Sequence, residues 1–449
     1  MSGLTSLIAE RSCANQLDHV PEAAQIWAKR AIIDTIGCGL AGASEPVVQL
    51  LSASLSDGAG EALVFGSSHR RSIFDAAQIN GAAAHALDFD DCHLIFDGHP
   101  TVPIVPALFA LADRTGASGA DLLNAYITGV EAEVRIAQIS SPAHLDHGWH
   151  PTASLGVLGA AIACGRLLNL TVPQMQCAIG IAASTASGLR ASSGTMTKPL
   201  HAGMANRNGL QAAWLASLGF TANPTTLEHK MGYFTAFNGG QPENGAAAFD
   251  DWGQHYTILD PGIAIKQYPC CAFTHCSIDA ACAVRAQGGF TPDEIAKIRI
   301  RIHPRRRPNV DRPIPKSGLD GKFSTQYLIA RALLAGTVVF DDFDDAAVQD
   351  PQVLALTRKV EMSTHDEADL SLGQIEVELT DGRILTAGAS VAMGRGPENP
   401  MSLAQVEAKF ATCANRLLPP ETTKCLFDML WTLEALPHSR SVTERIAKG

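Results

Sequence analysis

Hydrophobic positions recur at helical spacing along most of the first half of the chain. Ala23, Ile26, Trp27, Ile33, Ile36 and Leu40 share one face, Arg30 is its one polar interruption, and Gly42 is the expected stop. The same pattern predicts helices over Asp75–Leu87, Val105–Asp113, Gly119–Gln138, Ser154–Leu168, Val172–Ser187 and Gly203–Leu218. Pro106 and Pro173 fall in first turns, where a missing amide proton does no harm. Strand signals are nearly absent before about Ile265. Beyond it the period changes to two: Ile298, Ile300 and Ile302 alternate with arginines, and Ile375, Val377 and Leu379 alternate with glutamates. Asp381-Gly382 then turns the chain into Ile384 and Thr386, a hairpin signal. A helix over Phe323–Leu334, closed by Gly336, lies between these strands. Helical pattern resumes with a capping box at Ser402–Gln405, a helix to about Leu418 and another over Glu421–Leu436.

These elements predict a mainly α protein: a discontinuous all-α helical domain at 1–265 and 397–449, with a smaller α+β domain inserted at 266–396. A chain of 449 residues is too long for one core. Its composition, 46% hydrophobic and 18% charged, is that of a globular protein. A net charge of -11 argues against a nucleic-acid partner, although a local basic pocket can still take a small anion. No stretch approaches the roughly 20 uninterrupted apolar residues of a membrane span. Met1 to Ala14 carries Glu10 and Arg11 without a signal-peptide core, so a cytoplasmic location is expected. The 11 scattered cysteines read as small buried hydrophobes.

Five clusters carry chemistry. His85 to His93 packs Asp88, Asp90 and Asp91 between two histidines, with Asp97, His99 and Pro100 following. Left to composition this is a solvated, capping loop, with Asp91 as the cap; the same residue types also suit a cation, but no tight ligand spacing supports a metal. His144, His147 and His150 form a second group, in a segment that Gly148 and Pro151 mark as a loop. Lys198 lies just ahead of a helix start, where amides and the helix dipole favour an anion; the plain alternative is an exposed lysine. Lys266 to Cys276 sits at the domain junction; Cys270 and Cys271 are packing residues, and His275 is the more interesting one. Arg299, Arg301, Arg305, Arg306, Arg307 and Arg312 form a basic stretch without the aromatic partners of a nucleic-acid surface.

In this order the clusters resemble the MmgE/PrpD family over nearly the whole chain. The likeness rests on Ala31–Cys38, His85–Asp91 with His99-Pro100, Lys198–Gly203, Tyr268–Cys271 with Thr274, His275 and Asp279, and Lys322–Ser324 with Tyr327. The resemblance implies a helical domain, a smaller α+β lid, a homodimer, no metal and no organic cofactor. It carries active-site roles to Asp88, His99, His150, Lys198 and His275, and Arg190, Lys198, His201 and Tyr268 are expected to hold substrate. Two positions depart from the pattern: Cys92 stands where a Thr usually follows the Asp pair, and Asn309 stands where the decarboxylase branch carries a Tyr. The chain looks nearest the iminodisuccinate epimerase branch, acting on a small polycarboxylate by proton abstraction and return beside a carboxylate. The alternatives are a 2-methylcitrate-type dehydratase, then a cis-aconitate-type decarboxylase or a non-catalytic binding protein.

Overall fold

A computed structural model describes residues 3–55, 58–396 and 398–448. Met1, named in the leader reading, and positions 397 and 449, named as domain bounds, lie outside the described residues. The chain divides into two compact units: 1–192, 196–265 and 401–449 form the first, and 193–195 with 266–400 form the second.

The first unit is built from helices α1 (Leu4–Ala14), α2 (Glu22–Gly42), α3 (Ile73–Ala86), α4 (Val105–Thr115), α5 (Gly119–Ser140), α6 (Gly156–Leu167), α7 (Val172–Thr185) and α8 (Thr197–Ser217). Among the described residues no single helix is long and apolar enough to cross a membrane. Helix α2 is buried on nearly every side, with Ile32, Ile33, Ile36 and Leu40 inaccessible to solvent. Each such side chain removed from water contributes roughly 1.5–3 kcal/mol. Small residues let the helices approach closely: a Cβ on Gly203 of α8 would lie 2.4 Å from the Gln78 carbonyl oxygen of α3. That approach brings the start of α8 alongside the end of α3.

Several boundaries differ from the sequence reading. Helix α8 begins at Thr197, so Lys198 sits inside its first turn, where Pro199 is tolerated. The segment before α6 opens with a separate turn at Pro151–Ser154. Two short antiparallel pairs occur in this unit, Ala62–Leu63 with Arg70–Arg71, and Cys92–His93 with Ile263–Ala264. The second pair anchors the polar loop after α3.

In the second unit, strands β1 (Ile295–Ile302), β2 (Val360–Thr364), β3 (Gly373–Leu379) and β4 (Ile384–Ala389) form a sheet of order β2-β1-β3-β4. Only the β1–β2 pairing is parallel. Ile300 faces Ile375 and Ile298 faces Val377 across the ladder, so one face is apolar. Helices α9 (His275–Gln287) and α10 (Thr325–Ala335) contribute Ile278, Leu328 and Ile329 to the same core. On the opposite face Arg299 pairs with Glu376 and Glu378. Much of the basic stretch is likewise engaged within the unit: Arg307 pairs with Asp311, Arg312 with Asp320, and Arg306 lies 3.9 Å over the Phe273 ring.

The chain returns to the first unit as α11 (Leu403–Ala414) and α12 (Pro420–Trp431). Ser402 and Gln405 form the reciprocal cap at the start of α11. Helix α12 stops at Trp431, and a 3₁₀ turn at Leu433–Ala435 replaces its expected last turn. None of the 11 cysteines forms a disulfide among the described residues; six are buried, and Cys13, Cys92, Cys177, Cys282 and Cys425 are half-buried.

Candidate active site

The residues after α3 form a buried centre, not the solvated loop that composition suggests. Asp88 is 3% exposed, and Asp90 and Asp91 are inaccessible. Asp88 ends the helix with φ +52°, a left-handed conformation that Asp tolerates better than most residues. Its Oδ1 lies 2.9 Å from Lys198 Nζ and 3.5 Å from His99 Nε2. Asp90 accepts from His85 Nδ1 at 2.9 Å and lies 3.2 Å from His99 Nδ1. His99 Nδ1 also donates to the Asp91 carbonyl at 2.7 Å. Asp91 caps no helix; its carboxyl takes the Thr101 hydroxyl, which contacts Tyr126 at 2.7 Å.

Four imidazoles follow one another across this centre. His99 meets His85 edge-on with centroids 4.5 Å apart, His85 stacks on His150 at 5.9 Å, and His150 Nδ1 is 3.2 Å from His201 Nδ1. The side chains of Lys198 and His99 each keep 11% exposure, while those of His85 and Asp90 have none. The centre therefore has an outer side and a sealed base.

Electrostatics divide the groups. Burial lowers the His85 pKa to about 3, against the opposing pull of Asp90. Burial and Lys198 hold His150 well below the usual histidine value, and the same causes lower His201. Burial alone would raise Asp90, but the His85 and His99 rings outweigh it and hold the carboxyl well below its usual range. The centre thus contains neutral imidazoles beside ionised Asp90.

His85, Asp88, Asp90 and His99 bring four donor atoms within 4.8 Å, a spacing a divalent cation can use. Here Lys198 supplies positive charge at Asp88, and both Nδ1 atoms already point at Asp90.

A brace the sequence did not reveal holds the loop from below. Lys409 of α11 pairs with Asp34 of α2 at 2.6 Å, donates to the Phe89 carbonyl at 2.8 Å and lies 3.8 Å over the Phe89 ring. Burial alone would lower the Lys409 pKa, but Asp34 and nearby thiols raise it. A lysine on an amphipathic helix reads as surface, and only its partners show otherwise. Arg190, expected to hold substrate, donates to the Leu145 carbonyl at 2.9 Å.

His275 and Tyr268 belong to the second unit. Their rings meet edge-on at 5.2 Å, His275 Nε2 is 3.3 Å from the Cys270 carbonyl, and the Tyr268 hydroxyl donates to Asp279 at 2.6 Å. Lys322 donates to the Pro269 carbonyl at 2.8 Å, fixing the turn that carries them. Asn309 lies in the short helix Arg307–Val310 of the same unit.

Fold and centre together define a class: a mainly helical protein of two units that gathers imidazoles, carboxylates and an ammonium in its larger unit. The chain belongs to the MmgE/PrpD family, whose N-terminal domain matches residues 7–245 and whose C-terminal domain matches residues 268–435. It is similar to cis-aconitate decarboxylase of Mus musculus, 30% identical over 97% of this chain and 91% of the relative. The Homo sapiens cis-aconitate decarboxylase is 30% identical over 100% of this chain and 95% of its own length. The 2-methylcitrate dehydratase of Cupriavidus necator is 25% identical over 89% of this chain and 87% of its own length.

Proposed function

We propose that this chain is an acid–base enzyme that removes and returns a proton at a carbon beside a carboxylate of a small polycarboxylate, with iminodisuccinate epimerisation as its reaction. The supporting observation is two separate imidazoles, His99 and His150, each packed on His85, with Asp88 near the first and Lys198 near the second. Epimerisation needs one group to take the proton and another to return it from the opposite face. His150, kept neutral by burial and Lys198, suits the base. His99 has a carboxylate near each ring nitrogen, Asp88 and Asp90, an arrangement suited to carrying the second proton. The Cα–H bond breaks as His150 takes the proton, and the electron pair spreads into the adjacent carboxylate. Lys198 stabilises that added charge, and His99 delivers a proton to the other face. His275 is proposed as a further catalytic residue; Arg190, His201 and Tyr268 are proposed to hold substrate carboxylates. The active form is proposed to be a homodimer without cofactor.

Full-length similarity to cis-aconitate decarboxylases supports a second reading, decarboxylation, in which the same proton donor acts on the carbon that loses CO₂. The 2-methylcitrate dehydratase relative supports dehydration more weakly, at lower identity. Proton NMR in D₂O, with iminodisuccinate, cis-aconitate and 2-methylcitrate supplied separately, separates the three. Interconverted iminodisuccinate isomers carrying deuterium at the α-carbon are expected; CO₂ release or water loss, with iminodisuccinate untouched, overturns the epimerase reading.

A further inference from the structure

We propose that Asp90 is a positioning residue that fixes the tautomer of His85 and braces the His99 ring, whose Nδ1 the Asp91 carbonyl holds protonated, leaving His99 Nε2 as the nitrogen that exchanges protons. Its carboxylate lies 2.9 Å from His85 Nδ1 and 3.2 Å from His99 Nδ1, with its side chain fully buried. The case for His99 does not depend on charge. Its Nδ1 is also 2.7 Å from the Asp91 carbonyl oxygen, which can only accept, so Nδ1 carries a hydrogen whether the ring is neutral or charged. The titrating nitrogen is therefore Nε2, 3.5 Å from Asp88. His85 obeys the same rule: Nδ1–H points at Asp90, and Nε2 is a buried nitrogen with no hydrogen-bond partner. With no exposed side-chain surface, Asp90 and His85 act through His99 and not on substrate. Asp88, Asp90, His85 from α3 and His150 from the segment before α6 lie around the His99 ring, and Lys198 from α8 meets the same Asp88 oxygen as His99 Nε2.

Asp90→Asn gives this arrangement a sharp consequence. Both carboxylate oxygens lie within 3.0 Å of His85 Nδ1, and Oδ2 also faces His99, so an amide puts its donating nitrogen beside His85 Nδ1 whichever way it turns. His99 is still held by the Asp91 carbonyl, so the change falls on His85, whose Nδ1 then faces a donor as well as an acceptor and loses its fixed tautomer.

The test is ¹⁵N NMR of the full chain labelled at histidine, without substrate, with His99 and His85 signals assigned by their loss in His99→Gln and His85→Gln. In the native protein both rings should carry Nδ1–H, and only the Nε2 signal of His99 should move as it titrates. In Asp90→Asn, His85 should populate Nε2–H alongside Nδ1–H. In that variant kcat should fall about 100-fold or more with KM changed less, and in the direction where His99 gives the proton the ionisation governing the alkaline side of kcat/KM should move to lower pH. Nε2–H on neutral His99 in the native protein overturns the proposal, as do unchanged tautomers together with an unchanged pH profile in Asp90→Asn. The kinetic arm rests on the proposed acid–base reaction; the NMR arm uses no substrate, so failure of one is distinguishable from failure of the other.

Discussion

Lys198 Nζ lies 2.9 Å from Asp88 Oδ1, although 110 residues separate them in the chain. The pair exists because α3 and α8 pack at glycine distance, and it sets the charge of the whole centre. Removing the ammonium leaves Asp88 buried without its cation, which costs several kcal/mol when such a pair is broken from one side. Lys198→Ala should lower kcat/KM by about 100-fold or more and lower the unfolding midpoint. Adding Asp88→Asn should recover much of the stability and none of the activity. Near-normal turnover by Lys198→Ala would remove this residue from the reaction.

Gly203 tests the packing that makes the pair. A Cβ there would sit 2.4 Å from the backbone oxygen of Gln78, which cannot swing aside. Gly203→Ala should destabilise by about 1–3 kcal/mol and reduce activity through misplaced Lys198. A denaturant midpoint equal to that of the native protein contradicts the close contact.

Buried histidines predict acid sensitivity. His93 donates from Nε2 to the Thr257 carbonyl, its Nδ1 accepts from the Ile95 amide, and burial lowers its pKa to about 4. The unfolded chain therefore binds protons below about pH 6.5 that the folded protein refuses until about pH 4. Stability should fall as pH drops through that window, by on the order of 3 kcal/mol from His93 alone. Urea midpoints between pH 7 and 4 read the slope, and His93→Gln should flatten it. An equally steep slope in that variant removes His93 as a source.

Glu133 acts with the opposite sign. Neither carboxyl oxygen has a hydrogen-bond partner, and burial, then Asp91, push its pKa well above the usual range. The unfolded chain releases this proton as pH rises past the ordinary glutamate value while the folded protein holds it, so stability declines upward from there. The side chain fits only because residue 159 is glycine; a Cβ there would meet Glu133 Oε2 at 2.0 Å. Glu133→Gln should raise stability at pH 8 by roughly 1–3 kcal/mol and leave it nearly unchanged at pH 4. Destabilisation at both pH values would mean that the carboxyl has a structural task.

Chelation provides a direct control on the four donor atoms near Asp88. Turnover should survive prolonged treatment with a strong chelator and dialysis. Loss of activity restored by a divalent ion would assign a cation to the centre.

The helices of the first unit were legible where an apolar stripe was continuous, as in Glu22–Gly42, and the β3–β4 hairpin where a Gly turn joined alternating runs. Leu4–Ala14 escaped notice because buried Thr5 and Ser12 interrupt its stripe. Strand β2 was missed because Val360–Thr364 shows no clean alternation and pairs in parallel with a strand far away in sequence. The polar cluster stood out as a run of acids and histidines, but not its burial, because the groups that satisfy it arrive from Lys198 and Lys409. His85 lay inside the noticed motif and carried no mark distinguishing a sealed ring from a surface one.

The brace beneath Phe89 has a temporal meaning for the growing polypeptide. Lys409 is made 320 residues after the loop it secures. At roughly 5–20 residues per second, ribosomes take some tens of seconds to cover that interval. Throughout it, Asp34 and the backbone of the histidine loop lack the cation that later joins them. The loop thus waits that long for its brace, however early the first helices associate.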